Sequence, residues 1–291
     1  MDVIKSLSNT ILKSMSQDKK IKLANKLCSL GNISVINHVI FEGLGYNPKN
    51  PVKDSEDYDT LLKKYKASLG EKEQNDLEFF FTEKEHRVLD KWLHYFSIYD
   101  RHFSKYRGKE VTIVEIGVFK GGSMEMWKDY FGPKAKVIGV DINPDCKRFN
   151  DNQVQIFIGS QDDRDFWRKF KQEVPHVDIL IDDGGHTMNQ QIVTFEEMFD
   201  HIADGGTYLC EDLHTSYWKS FGGGYKKKGS FIEYSKNFID YINAWHSHNP
   251  ELSVNKYTQS MYCLHYYDSV LVIEKEINQE RPSALAIGSE L

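Results

Sequence analysis

The chain has 291 residues, 40% of them hydrophobic and 27% charged, with a formal net charge of −6 and an isoelectric point near 6.0. That is enough chain for one large α/β domain with an appendage, or for two domains, and Lys226-Lys227-Lys228 is too short a basic run to make nucleic acid a partner. No apolar stretch approaches the roughly 20 residues of a membrane span, the first residues lack a signal-peptide core, and Cys28, Cys146, Cys210 and Cys263 are scattered without zinc or disulfide spacing, which points to the cytoplasm.

Residues 1 to about 108 carry little β signal. Ile4, Leu7, Ile11 and Leu12 recur at helical spacing, Gly31 offers a helix stop, and Asn47-Pro48-Lys49-Asn50-Pro51 marks a loop. A helix is expected over Tyr58–Leu69. Residues 1–80 therefore read as a helical appendage for homo-oligomer contacts or as a pocket lid. Thr82 with Glu85 fits a capping box for a further helix over Thr82–Tyr106. Its aromatic stripe of Trp92, Tyr95, Phe96, Tyr99 and Phe103 leads to the first strand, which would bring Tyr95, Tyr99 or His102 near a ligand.

From residue 111 strands and helices alternate. Strands are expected over Val111–Ile116, Lys136–Val140, Val154–Ile158, Val177–Ile181 and Thr207–Cys210. Helices are expected from Ser123, and over Asp163–Val174, Met188–Ile202 and Phe231–His246. Two last strands, near Ser260–His265 and Ser269–Glu274, are too close for a crossover and form a hairpin. The fold class is thus α/β: a doubly wound, mostly parallel seven-stranded sheet spanning 81–276, with the helical appendage before it and a tail, 277–291, after it.

In open sheets of this kind the ligand lies beyond the carboxyl ends of the strands. The first strand ends in Glu115-x-Gly117-x-x-x-Gly121, and Ser123 is a good N-cap. The spacing is neither the dinucleotide fingerprint nor a P-loop. It resembles the first motif of class I S-adenosylmethionine (SAM) methyltransferases. Glu115 would repel phosphate and welcome a cationic ligand. Asp141 ends the second strand, placed for both ribose hydroxyls. Gln161 and Asp162 end the third, within reach of an adenine edge. Asp182 and Asp183 end the fourth, and Glu211 and Asp212 the fifth. Carboxylates this crowded call for a cation, and hard oxygen donors suit Mg²⁺. His186, three residues past Asp183, is the natural general base beside it.

The runs Val114–Ser123, Ile181–His186 and Glu211–Trp218 together resemble the metal-dependent sugar O-methyltransferases of macrolide biosynthesis, the mycinamicin and tylosin type. The resemblance covers roughly residues 85–275. It implies SAM and Mg²⁺, or another divalent cation, as cofactors, Asp183, Glu211 and Asp212 as metal ligands, and His186 as base. Gly185 stands where that family commonly has serine. On this reading a sugar or sugar-nucleotide diol is held by the metal while His186 takes the proton of the hydroxyl to be methylated. Thr215–Gly229, with Tyr217 and Trp218, reads as a mobile lid over substrate. Three other readings remain open: methylation of a catechol-like or other non-sugar diol, a non-haem iron oxygenase using Asp183, His186 and His214, and a nucleoside-binding protein without catalysis.

Overall fold

The computed structural model describes residues 58–69, 74–277 and 279–288. The expectations for residues 1–57 lie outside them. The chain divides into two compact units, 1–71 and 72–291. The first contributes one described helix, α1 (Tyr58–Leu69), with the predicted bounds.

The second unit is a seven-stranded sheet in the order β3-β2-β1-β4-β5-β7-β6. The strands are β1 (Val111–Ile116), β2 (Ala135–Asp141), β3 (Val154–Ile158), β4 (Val177–Asp182), β5 (Ile202–Cys210), β6 (Met261–Tyr267) and β7 (Val270–Lys275). β1 to β5 pair in parallel, and β7 runs antiparallel between β5 and β6, as the two-residue hairpin connection requires. The chain order reverses between β1 and β4, so this crevice is the topological switch point where such sheets bind ligands.

Both faces of the sheet are covered, which is why the parallel strands are apolar throughout. On one face Ile113, Val137, Ile181 and Leu209 pack against α2 (Asp76–Glu83), α3 (Tyr95–Phe103) and α4 (Gly122–Phe131). On the other, Val114, Val140 and Leu180 meet α5 (Arg164–Glu173), α6 (Met188–Met198), α7 (Phe231–Ser235) and α8 (Asn237–Asn243).

Several predicted boundaries move. Thr82 does not start a helix; it lies in α2, whose capping box is Asn75 with Glu78. Residues 84–94 are irregular, and the expected long helix shrinks to α3. The reason is tertiary. Arg87 donates its backbone N–H to Glu125 (2.8 Å) and pairs with it through its guanidinium (2.6 Å), so this segment is drawn across the first turns of α4. Ser123 is not the N-cap of α4 either, since Gly121 holds that position in a left-handed conformation. Helix α6 stops at Met198 and β5 starts at Ile202, not Thr207. Buried Lys275 causes this. Its ammonium donates to the carbonyls of Phe199, Asp200 and Ile202, fixing the turn between α6 and β5. The helix expected over Phe231–His246 breaks at Lys236 into α7 and α8. Residues 279–288 of the tail have no regular structure.

His201, in the turn after α6, places its Nε2 2.7 Å from the Val174 carbonyl. Burial holds this imidazole below its usual value of 6.5. The unfolded chain therefore takes up a proton before the folded one does. His201 contributes stability fully above pH 6.5 and loses it as pH falls through 6.5 toward the folded value. Urea midpoints at pH 7.5 and 5.5 should fall further in the native protein than in His201→Gln, and equal slopes would remove this residue from the acid response.

Candidate active site

The carboxyl ends of β1, β4 and β5 meet at one cleft, and the residue that fills its floor was not anticipated. Lys91, in the irregular segment before α3, is buried with its Nζ 2.6 Å from Asp183 Oδ2, 3.1 and 3.0 Å from the two Glu211 oxygens, and 3.3 Å from Glu115 Oε1. Burial alone would push this ammonium down. Asp183, Glu211, Tyr99 and Glu115 outweigh it and hold Lys91 well above its ordinary range. Lys91 thus brings an ammonium into the middle of the carboxylate cluster.

Lys91 changes the reading of Glu115. That carboxylate is buried, accepts from Trp127 Nε1 (3.1 Å) and faces Lys91, so the cation it was expected to take from a ligand comes from the protein. Burial raises it above its ordinary range, with Lys91 and a hydrogen bond from Ser123 opposing. Ser123 is itself buried.

The Gly-rich turn itself is as expected. Gly117 has φ +98° and its N–H donates to the Val140 carbonyl (2.8 Å). A Cβ there would lie 2.0 Å from the Asp183 carbonyl oxygen, so the tips of β1 and β4 touch through backbone alone. Asp141 braces the turn: its Oδ2 accepts the N–H groups of Val118 and Phe119 (both 3.0 Å), and its Oδ1 accepts that of Asn143 (2.8 Å). Oδ2 is thereby saturated, and Oδ1 keeps one lone pair for a hydroxyl group.

Gln161 does not offer an adenine-reading edge. Its amide donates to Asp182 Oδ1 (2.8 Å) and Thr194 Oγ1 (3.1 Å) and accepts the Gly185 N–H (2.7 Å), so both ends are spent inside the protein. It fixes the β4–α6 loop instead. Asp182 is fully buried, its Oδ2 has no partner among the described residues, and burial pushes it up to about 6. It lies under the cleft, not in it. Asp162 is exposed and accepts from the Ser160 hydroxyl.

Tyr95 turns to the end of β5. Its hydroxyl donates to Asp212 Oδ1 (2.8 Å), while Tyr99 donates to Glu211 Oε1 (2.6 Å). Two tyrosines one helical turn apart on α3 thus orient the two carboxylates that end β5. His102 faces the other way, toward Glu274 and Tyr267.

His186 and Asp212 both adopt left-handed backbone, φ +54° and +55°. Such conformations are costly for non-glycine residues and recur at functional sites. Here they turn both side chains into the cleft. His186 Nε2 lies 3.4 Å from Asp212 Oδ2 and 3.8 Å from Asp183 Oδ1, and its Nδ1 is buried without a partner among the described residues. Asp183, His186 and Asp212 each offer a donor atom within 4.8 Å of the others. That donor set, two carboxylates and an imidazole around one point, fits a divalent cation. Glu211, the third expected ligand, points both oxygens at Lys91. His214 stays out of the cluster: its ring contacts Ser269 Oγ and stacks on Trp92, so the two-histidine iron triad does not assemble among the described residues.

Thr215 Oγ1 donates to the carbonyls of Asp212 (2.8 Å) and His186 (3.0 Å), tying the following loop to the site. That loop is folded on itself, with Gly223 and Gly224 donating to the Trp218 and Ser216 carbonyls. Trp218 packs on His214 and Phe221, and Tyr217 is exposed. Beside them a cleft of about 400 Å³ is lined by His214, Tyr217, Ile239 and Tyr266 among others.

The sheet order, the glycine turn at β1 and the carboxylate at the end of β2 are those of the class I SAM-dependent methyltransferase fold. Within it the chain is a homologue of sugar O-methyltransferases of macrolide and polyketide pathways. It is 33% identical to the mycinamicin VI 2''-O-methyltransferase of Micromonospora griseorubida over 201 residues, 65% of this chain and 50% of that protein. It is 33% identical to the demethylmacrocin O-methyltransferase of Streptomyces fradiae over 209 residues, 66% of this chain and 52% of that one. Among solved structures, the MycE methyltransferase of the mycinamycin pathway in complex with Mg and S-adenosylhomocysteine (SAH) matches with a TM-score of 0.63 and 31% identity, over 75% of this chain and 59% of that one. The chain spans about half the length of the curated relatives it matches. No protein-family model matches it. No described helix is long and apolar enough to cross a membrane.

Proposed function

We propose that this protein is a SAM-dependent, divalent-metal-dependent O-methyltransferase acting on a hydroxyl of a sugar. The observation that carries the reading is the convergence of Asp183, His186 and Asp212 beside the turn at Gly117, in a homologue of sugar O-methyltransferases. SAM supplies the methyl group, and a divalent cation held by Asp183 and Asp212 supplies the Lewis acidity that eases loss of the hydroxyl proton. Asp141 accepts a ribose hydroxyl at Oδ1 while its other lone pairs brace the turn. Tyr95 fixes Asp212, and Asp212 in turn flanks His186 Nε2, the atom that takes the proton. The positive charge formed there lies between two carboxylates. The acceptor occupies the cleft beside Tyr217 and Tyr266, whose aromatic and polar walls suit a glycoside. The first unit, residues 1–71, serves oligomer contacts.

Methyl transfer from SAM to a panel of glycosides and nucleotide sugars tests the assignment. Enzyme stripped with EDTA should still bind SAM in calorimetry, lose turnover, and recover it with Mg²⁺. Full turnover after rigorous chelation would sink the metal role.

A further inference from the structure

Lys91 takes up the oxygens that a metal would seek. Both oxygens of Glu211, Oδ2 of Asp183 and Oε1 of Glu115 surround one ammonium with three N–H groups, so its donors are fully used. The side chain is 2% exposed and its ammonium lies 5.7 Å from the Tyr99 ring centroid, leaving it no path to solvent. Asp183 Oδ1 and Asp212 Oδ2 are the oxygens left over.

We propose that Lys91 is a positioning residue whose ammonium competes with the divalent cation for Glu211 and Asp183, and so sets how tightly the site takes up metal; this rests on the metal-dependent reading above. A hard dication favours as many carboxylate oxygens as it can gather. Glu211 joins it only by releasing the ammonium, and the two cations repel one another across shared ligands. By linkage each weakens the other's hold on the cluster. The ammonium is not stranded when Glu211 turns away, because Glu115 remains beneath it. That second anchor lies two residues before Gly117, so metal uptake at β4 and β5 is felt under the β1 turn.

The test is a Mn²⁺ titration by calorimetry of the chelated full-length protein. Lys91→Met, which keeps the apolar stem and removes the charge, should bind Mn²⁺ on the order of 10- to 100-fold more tightly than the native protein. Lys91→Arg, which keeps the charge, should bind no more tightly than native. A merely structural lysine predicts weaker or unchanged metal binding on its removal. The rise in Tm produced by saturating Mn²⁺ should be larger in Lys91→Met than in the native protein, which covers a variant that is loose without metal. Unchanged or weaker Mn²⁺ binding by Lys91→Met overturns the proposal. So does a variant that stays unfolded in saturating Mn²⁺, because a competing dication must be able to replace the ammonium. Absence of Mn²⁺ binding in both proteins overturns the metal-dependent reading itself.

Discussion

Replacing His186 with alanine is expected to lower turnover by roughly 10²–10⁴-fold, the usual worth of a positioned general base. The expectation rests on geometry. Its Nε2 stands between Asp183 and Asp212 at distances too long for strong pairing, 3.8 and 3.4 Å, and so remains available to a third group. Its backbone is held at φ +54°, a conformation that the surrounding loop has to enforce through Thr215. The imidazole also belongs to the donor set that fits a cation, so base and ligand must be told apart. As base, its loss leaves Mn²⁺ and SAH affinities within a few-fold of native while turnover collapses. As ligand, its loss weakens Mn²⁺ binding along with turnover. Measuring all three in one variant decides the role, and full turnover in His186→Ala would reduce the histidine to a structural part.

The fold was legible because its signals are local. β1 to β4 are short runs rich in valine and isoleucine, β2 and β4 end in aspartate, and the glycine turn follows β1 directly. The seven strands and the antiparallel β7 follow from that alternation and from the short β6–β7 connection. What the sequence hid was set by contacts far along the chain. Lys91 meets carboxylates 24, 92 and 120 positions away, and nothing in its neighbourhood distinguishes it from a solvated lysine. Its arrival reassigns Glu115 from ligand binding to internal charge balance. The aromatic period that suggested a helix from Thr82 is real only from Tyr95 onward, because Arg87 and Glu125 pull the preceding segment across α4. Gln161 was placed correctly at the end of β3, yet its amide direction depends on Asp182, Thr194 and Gly185, which no spacing rule can supply. Strand ends are readable; where their side chains point is a property of the packed sheet.

Gly117→Ala should be among the most damaging single-methyl additions in this protein. Two costs combine. Alanine at φ +98° is strained, at about 1–3 kcal/mol. The new methyl would also sit 2.0 Å from the Asp183 carbonyl oxygen, and backbone cannot rotate away as a side chain can. Overpacking of that kind adds a further 1–3 kcal/mol or so. Relief requires the tips of β1 and β4 to separate, although the Asp183 N–H is bonded to the Ile116 carbonyl (3.1 Å) and the Gly117 N–H to Val140. The strain therefore falls on the residue that carries the Asp183 carboxylate, and the variant should lose Mn²⁺ affinity as well as stability. Gly205→Ala is the matched control: it too has positive φ, +71°, but nothing lies within 4 Å of its added Cβ. Urea denaturation should place Gly117→Ala roughly 1–3 kcal/mol below Gly205→Ala, the difference being the overpacking cost alone. Equal stability of the two variants would mean that β1 and β4 can part freely, and with it the rigid placement of Asp183 on which the site depends would fail.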